Sequence, residues 1–179
     1  MFSSVVNVLE TIMDNGSNSE QKYEAQTLMT SILSFDFVFN MHLMKNILGI
    51  TNDLSQVLQR KYQDIVNAMN LVNICKGKLQ AMRESGWNSL LERVSYFCNG
   101  HDIEVLKLDA MFLVRGRKSR KSQPITNLHH YRVEVFYTVI DMQLQELNNR
   151  FTESLIFMAC LNPSNSFTAF DRQKLNRLA

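Results

Sequence analysis

The densest group of side chains with functional chemistry is a basic run between residues 115 and 121. Its cations are Arg115, Arg117, Lys118, Arg120 and Lys121, and the two other positions hold a glycine and a serine. Such closely spaced cations can follow a phosphate backbone, and each contact releases counterions without reading base sequence. The same composition is typical of nuclear-import signals and of solvated loops that keep a protein soluble. The sequence leaves these three interpretations open.

A metal site is a weaker candidate. Cys98 and His101 have a Cys-x-x-His spacing, but zinc takes four ligands and the nearest other pair is His129-His130. Adjacent residues of a helix point about 100° apart, so these two imidazoles cannot both face one site. We therefore predict no metal ion and no cofactor. Cys98 is expected to be buried at a helix end, and His101 to face solvent.

No residue is assigned to catalysis. Neither a nucleophile elbow nor a glycine-rich phosphate loop is present among six scattered glycines. Metal-dependent phosphoryl transfer needs two or three converging carboxylates, typically at strand ends. The candidate carboxylates lie on predicted helices or in a loop: Asp36, Asp64, Asp102, Asp109 and Asp141. We predict that the chain is not an enzyme and that Asp141 lies on a solvated helix face.

The element with the clearest pattern is a long helix from Thr51 to about Glu84. Gly49 is expected to end the preceding helix, Thr51 to cap the long one, and Gly86 to interrupt it. At about 1.5 Å per residue this helix would be about 50 Å long. With Lys61 as the one polar member, its apolar or small residues recur at spacings of three and four, which predicts one apolar seam: Leu54, Leu58, Ile65, Ala68, Val72, Cys75, Leu79 and Met82.

The remaining chain also has helical periodicity. A first helix ends at Asn15-Gly16, and Asn18 or Ser19 caps a second one that continues into an apolar stretch reaching Met44. Shorter helices follow from Trp87, from Thr126-Asn127 and from a capping box at Thr168. Residues 100–126 form the one non-helical region, which we interpret as a loop holding the basic run. The prediction is a single all-α domain, residues 1–179, of six or seven helices with one long central helix.

Composition and charge exclude several classes of protein. Hydrophobic content of 45% and charged content of 20% are globular values, and the net charge is only +2. The basic excess is local, because residues 101–150 carry eight Lys/Arg against six Asp/Glu whereas residues 1–50 carry two against five. Three separated cysteines, Cys75, Cys98 and Cys160, indicate a reducing compartment. With no membrane span or leader in the sequence, we expect a soluble intracellular protein without a membrane partner.

Three long stretches together resemble a known family. They are SFDFVFNMHLMKNILGITNDLSQVLQRKYQDIVNAMNLV (Ser34 to Val72), LHHYRVEVFYTVIDMQLQELNNRF (Leu128 to Phe151) and LNPSNSFTAFDRQKLNRLA (Leu161 to Ala179), preceded by the segment Gly16 to Lys22. The chain resembles plant hAT-superfamily transposase-derived proteins, of the type named zinc finger MYM-type-like or TTF-type zinc finger proteins with a dimerisation region. The resemblance covers nearly the whole chain.

This resemblance implies a fragment without catalytic residues. The matching region corresponds to the helical insertion of a ribonuclease-H-like domain, which in the family cuts and joins DNA with metal-bound acidic residues. The family's catalytic aspartates lie upstream of the match, and its glutamate and dimerisation segment lie downstream. The implied function is DNA binding or positioning in the nucleus, through the basic run. The alternative is a helical protein–protein interaction module, cytoplasmic if not nuclear, whose long helix self-associates or docks a partner helix.

Overall fold

The computed structural model describes residues 2–59, 65–112 and 124–151, and five helices make up most of this part of the chain. They are α1 (Phe2–Asn15), α2 (Ser19–Ile32), α3 (Phe35–Leu58), α4 (Ile65–Asn99) and α5 (residues 127–150). Within α5, a first turn (Asn127–His129) leads into a π-helical segment (His130–Tyr137) and then into regular α-helix (Thr138–Arg150). The prediction of an all-α fold is confirmed, but the long helix is not the one predicted from Thr51 to about Glu84. That range is shared by two elements, since α3 ends at Leu58 and α4 begins at Ile65.

The helix boundaries differ from the prediction at three places. Thr51 does not cap a helix, because it lies inside α3, where its hydroxyl donates to Ile47 O at 3.1 Å. Gly49 and Gly86 end no helix either, and α4 consequently runs for 35 residues. The break lies instead before α3, where Ser34 Oγ accepts a hydrogen bond from Phe37 N at 3.2 Å. Because the residues of this stretch are apolar on all sides of the helix, hydrophobic periodicity does not indicate where one helix ends and the next begins.

The number of helices is also lower than predicted. The described residues contain five, against six or seven, because the expected separate helix from Trp87 is the end of α4. The helix predicted from Thr168 lies outside the described residues. The region 100–112 is non-helical as expected, and the described part of the chain contains no strand, only an isolated antiparallel bridge between Met111 and Thr126.

Two predicted helix starts are confirmed by their hydrogen bonds. Asn18 caps α2, with its side-chain Oδ1 accepting from Glu20 N at 3.0 Å. Thr126 caps α5, with its Oγ1 accepting from His129 N at 3.2 Å. Both side chains bond backbone amides that have no partner inside the helix, which is why these residue types favour the N-cap position.

The described residues divide into two compact units. Unit 1 takes residues 2–43 and 89–107, in which α1 packs on α2 and the largest buried side chains come from α3 and α4, for example Phe39 and Leu90. Cys98 is buried at the end of α4, as predicted. His101 does not face solvent freely: its ring stacks on Phe97 at 4.2 Å, and its Nδ1 lies 3.0 Å from Phe97 O.

Unit 2 takes the described residues of 44–88 and 108–151, and it contains the predicted apolar seam. The seam residues that are buried are Leu54, Ala68, Val72, Cys75 and Leu79. Leu58 is exposed, and Met82 is half-buried. From α5, the side chains of Tyr131, Phe136 and Ile140 are buried, and the Phe136 ring meets the Trp87 indole edge to face at 5.5 Å. Among the described helices, none combines the length and the hydrophobicity that spanning a lipid bilayer requires.

The two glycines inside α4 give a matched test of its continuity. A Cβ on Gly77 would meet no atom within 4 Å, whereas one on Gly86 would lie 2.9 Å from Met82 Cγ. Alanine favours a helix interior over glycine by about 0.5–1 kcal/mol. We expect Gly77→Ala to raise the free energy of unfolding by about that amount and Gly86→Ala to raise it less, as measured by urea denaturation. Destabilisation by Gly77→Ala would contradict a continuous α4.

The two buried cysteines give a second prediction. Burial raises the pKa of the Cys75 and Cys98 thiols, so their reactive thiolates are scarce in the folded chain. In a Cys160→Ser variant we expect both thiols to react with a maleimide more than about tenfold more slowly than in urea. Equal rates in the two conditions would contradict the burial.

The raised pKa of the two thiols also makes the free energy of unfolding depend on pH. Unfolded thiols lose their protons from about pH 8.5 upwards, while the folded thiols keep theirs. The unfolded state then binds fewer protons than the folded state, so the free energy of unfolding is expected to fall as the pH rises above this value. Replacing both cysteines by alanine should remove that part of the pH dependence.

Candidate nucleic-acid interface

The structure fixes the two ends of the segment that carries the basic run. Arg115, Arg117, Lys118, Arg120 and Lys121 themselves lie in residues 113–123, outside the described residues. On either side of this segment, Met111 and Thr126 form the antiparallel bridge, and Phe112 N donates to Ile125 O at 2.8 Å. The chain therefore leaves and re-enters the described structure at a hydrogen-bonded base.

This base is also part of the start of α5. The first amides of a helix have no acceptor inside it, and here residues before the basic run supply two of the acceptors. Asn127 N donates to Ala110 O at 2.9 Å, and Leu128 N donates to Leu108 O at 2.8 Å. The next two amides bond Thr126, through Oγ1 for His129 N and through O for His130 N. The helix start and the base thus hold each other in place.

Aromatic contacts add to the base. The Phe112 ring stacks on the His130 imidazole with centroids 3.7 Å apart, and it meets the Tyr131 ring edge to face at 6.3 Å. His130 Nδ1 lies 2.8 Å from Glu134 Oε2. His129, by contrast, is exposed, so the two adjacent imidazoles share no site, as predicted. Phe112, the last described residue before the basic run, is therefore anchored by its side chain and its backbone.

A second group of cations lies on α4 and α5 within unit 2. Arg83 donates from Nε to Asp141 Oδ1 at 2.5 Å and from Nη2 to Asp141 Oδ2 at 3.1 Å, a two-pronged ion pair. This hydrogen bonding raises the pKa of Arg83. Asp141 is exposed on its helix face, as predicted, but its carboxylate also pairs with a guanidinium, which the sequence did not indicate. The Arg83 guanidinium also lies 4.9 Å from the centre of the Tyr137 ring.

Arg132 lies beside the same tyrosine with a different partner. Its Nε donates to Tyr137 Oη at 3.1 Å, and its guanidinium carbon lies 5.7 Å from the Tyr137 ring centre and 5.8 Å from that of Trp87. Residues five apart do not face each other on a regular α-helix, but the i→i+5 turn of the π-helical segment brings them together. Sequence periodicity therefore gave no signal for this pair.

The structure describes four of the five candidate aspartates. Asp36, Asp102 and Asp109 are exposed, Asp141 pairs with Arg83, and Asp64 lies outside the described residues. In the described part of the chain, no three His, Cys, Asp or Glu side chains are placed to hold a metal ion. The described residues of unit 2 thus offer a hydrogen-bonded loop base and, on α4 and α5, two arginines held against aromatic rings.

The hydroxyl of Thr126 provides a direct test of that base. We expect Thr126→Ala to lower the free energy of unfolding by about 1 kcal/mol, because His129 N loses its acceptor. Thr126→Ser keeps an Oγ at the same position and should cost much less. Both values follow from urea denaturation monitored by circular dichroism. If serine cost as much as alanine, the lost hydrogen bond would not be the cause.

No family model matches the chain, and no solved structure matches it.

Proposed function

We propose that this chain is a non-catalytic helical module of a hAT-type transposase-like protein, which contacts the phosphate backbone of DNA through the basic run. The observation that carries the proposal is the hydrogen-bonded base formed by Met111, Phe112, Ile125 and Thr126. It brings both ends of a five-cation segment to one place beside the start of α5. A charge-dense segment tethered at both ends to one helix offers a duplex one concentrated positive patch.

The number of residues between the two ends of the segment limits how far its cations can lie from the loop base. Lys118, the cation farthest from both ends, is six residues from Phe112 and six from Pro124. Six residues span at most about 20 Å when fully extended. Duplex DNA carries about one charge per 1.7 Å of axis, so a segment of this size meets enough phosphates for all five cations. The contacts would carry no base preference, which suits a positioning role.

The family assignment within this proposal rests on the resemblance of the three long stretches, and the all-α fold is the one expected of the helical insertion. The chain is then not an enzyme, since no family catalytic residue falls on it, and its place of action is the nucleus. Coding sequence for the catalytic acids, in frame on both sides of this chain in its gene, would support the assignment. A gene that carries only these helices would count against it.

The alternative, a partner-binding module that uses the seam of the long helix, has less support. Such a module needs apolar side chains that a partner can reach. Val72 and Leu79, at the centre of the seam, are buried within unit 2. The same basic run would also suit nuclear import, and that use is compatible with DNA contact.

Neutralising the run tests the proposal. We expect replacement of its five cations by alanine to weaken binding to a fluorescent duplex and to flatten the plot of log affinity against log salt. Each lost phosphate contact should reduce the slope by about 0.9. The matched control replaces the three arginines by lysine, which keeps the charge and should keep the slope. Fluorescence anisotropy over a series of salt concentrations gives both quantities.

Three outcomes are distinguishable. A reduced slope in the alanine variant alone supports DNA contact through the run. An unchanged slope and affinity in the alanine variant would contradict it. If, in addition, a fluorescent fusion of that variant is excluded from the nucleus while the parent chain enters it, the run serves as an import signal instead.

A further inference from the structure

Arg132 differs from the other two described arginines of unit 2 in the partner that its guanidinium bonds. Arg83 and Arg150 each pair with a carboxylate, that of Asp141 and that of Glu146. Among the described residues, no carboxylate forms an ion pair with Arg132. Its fixed partner is the neutral hydroxyl of Tyr137. Within the described part of the chain, the positive charge of Arg132 is therefore oriented by a neutral group and paired with no carboxylate.

The hydrogen bond between Arg132 and Tyr137 leaves the terminal nitrogens of the guanidinium for a ligand. Nε is the nitrogen that donates to Tyr137 Oη, so the two terminal nitrogens are not used by that bond. The guanidinium lies near the rings of Tyr137 and Trp87, which favour a cation through their π faces. Arg132 is half-buried, and the Trp87 side chain near its guanidinium is buried. A guanidinium held in this way loses little conformational entropy when it binds.

Arg132 also lies close to the loop base along the chain. It follows Thr126 by six residues, which is about 9 Å of helix rise. A phosphate chain that contacts the basic run near its base would extend over this distance within a few nucleotides, since phosphates of one strand are about 3.4 Å apart along the axis. Arg132 is therefore within reach of a phosphate chain that passes the loop base.

We propose that Arg132 is a second phosphate-binding residue, which receives a DNA backbone phosphate between its two terminal nitrogens while Tyr137 holds its Nε. This inference rests on the proposed function, because it places the same ligand on a neighbouring surface. A phosphate oxygen pair matches the planar fork of a guanidinium. Whereas the basic run supplies charge, Arg132 supplies a contact of fixed position.

The test uses the full chain and a short fluorescent duplex. Arg132→Gln should weaken binding and reduce the salt slope by about 0.9, the loss of one phosphate contact. Arg132→Lys keeps the charge but not the fork, so the slope should stay while the affinity falls. Tyr137→Phe removes only the hydroxyl that fixes Nε, and we expect the same pattern as for lysine with a smaller loss. Arg93→Gln, at an exposed arginine of unit 1, is the control for net charge.

Thermal unfolding of each variant separates binding from folding, since a variant with an unchanged midpoint keeps unit 2 intact. The proposal is overturned if Arg132→Gln leaves the slope unchanged, or if Arg93→Gln reduces it equally. It is also overturned if Tyr137→Phe and Arg132→Lys bind as the parent chain does.

The two proposals can fail separately. Loss of binding in the alanine variant of the run, together with an unaffected Arg132→Gln variant, leaves the proposed function and rejects the role of Arg132. The reverse result rejects the run and keeps Arg132 as the phosphate contact. A parent chain that does not bind the duplex at all rejects both.

Discussion

The arrangement of the loop base in unit 2 follows from one requirement: the first backbone amides of α5 must find hydrogen-bond acceptors. A buried or half-buried helix start without acceptors is costly, because each lost hydrogen bond leaves a desolvated N–H. Here Ala110 and Leu108 supply carbonyl oxygens, and Thr126 supplies its hydroxyl and its carbonyl. The segment before the basic run must therefore return to the start of the helix. The loop base and the helix cannot separate without breaking these bonds together.

A second constraint follows one turn later. Tyr131 and Phe136 are both buried although they are five residues apart, and Ile140 follows at the α-helical spacing of four. Regular α-helix cannot bring the first two to one side, whereas an i→i+5 turn can. Burying both rings thus favours the π-helical segment, and the same turn aligns Arg132 with Tyr137. The oriented guanidinium is a consequence of how the core of unit 2 is filled.

Much of the fold could be predicted from periodicity and capping chemistry, as the cap at Thr126 and the buried seam at Val72 and Leu79 demonstrate. The predicted break at Gly86 was wrong because a helix-interior glycine costs only about 1 kcal/mol, less than the burial of large neighbours such as Trp87 contributes. The bridge between Met111 and Thr126 could not be predicted from the sequence, because a single bridged pair produces no alternating pattern of apolar and polar residues. The partner of Asp141 was equally invisible, since Arg83 is 58 positions away.

The contrast between Arg83 and Arg132 shows why charge counting alone describes this surface poorly. Both guanidinium groups lie near one tyrosine ring, and a sequence tally gives them equal weight. Arg83 makes two charge-assisted hydrogen bonds to the Asp141 carboxylate, so the two opposite charges largely cancel each other's electric field in the surrounding solvent. Dissolved ions screen the remaining field. Arg132 keeps its charge and its orientation. Phosphate contacts fix the register of a protein on a duplex, and of these two oriented guanidinium groups only that of Arg132 has no ion pair with a described carboxylate.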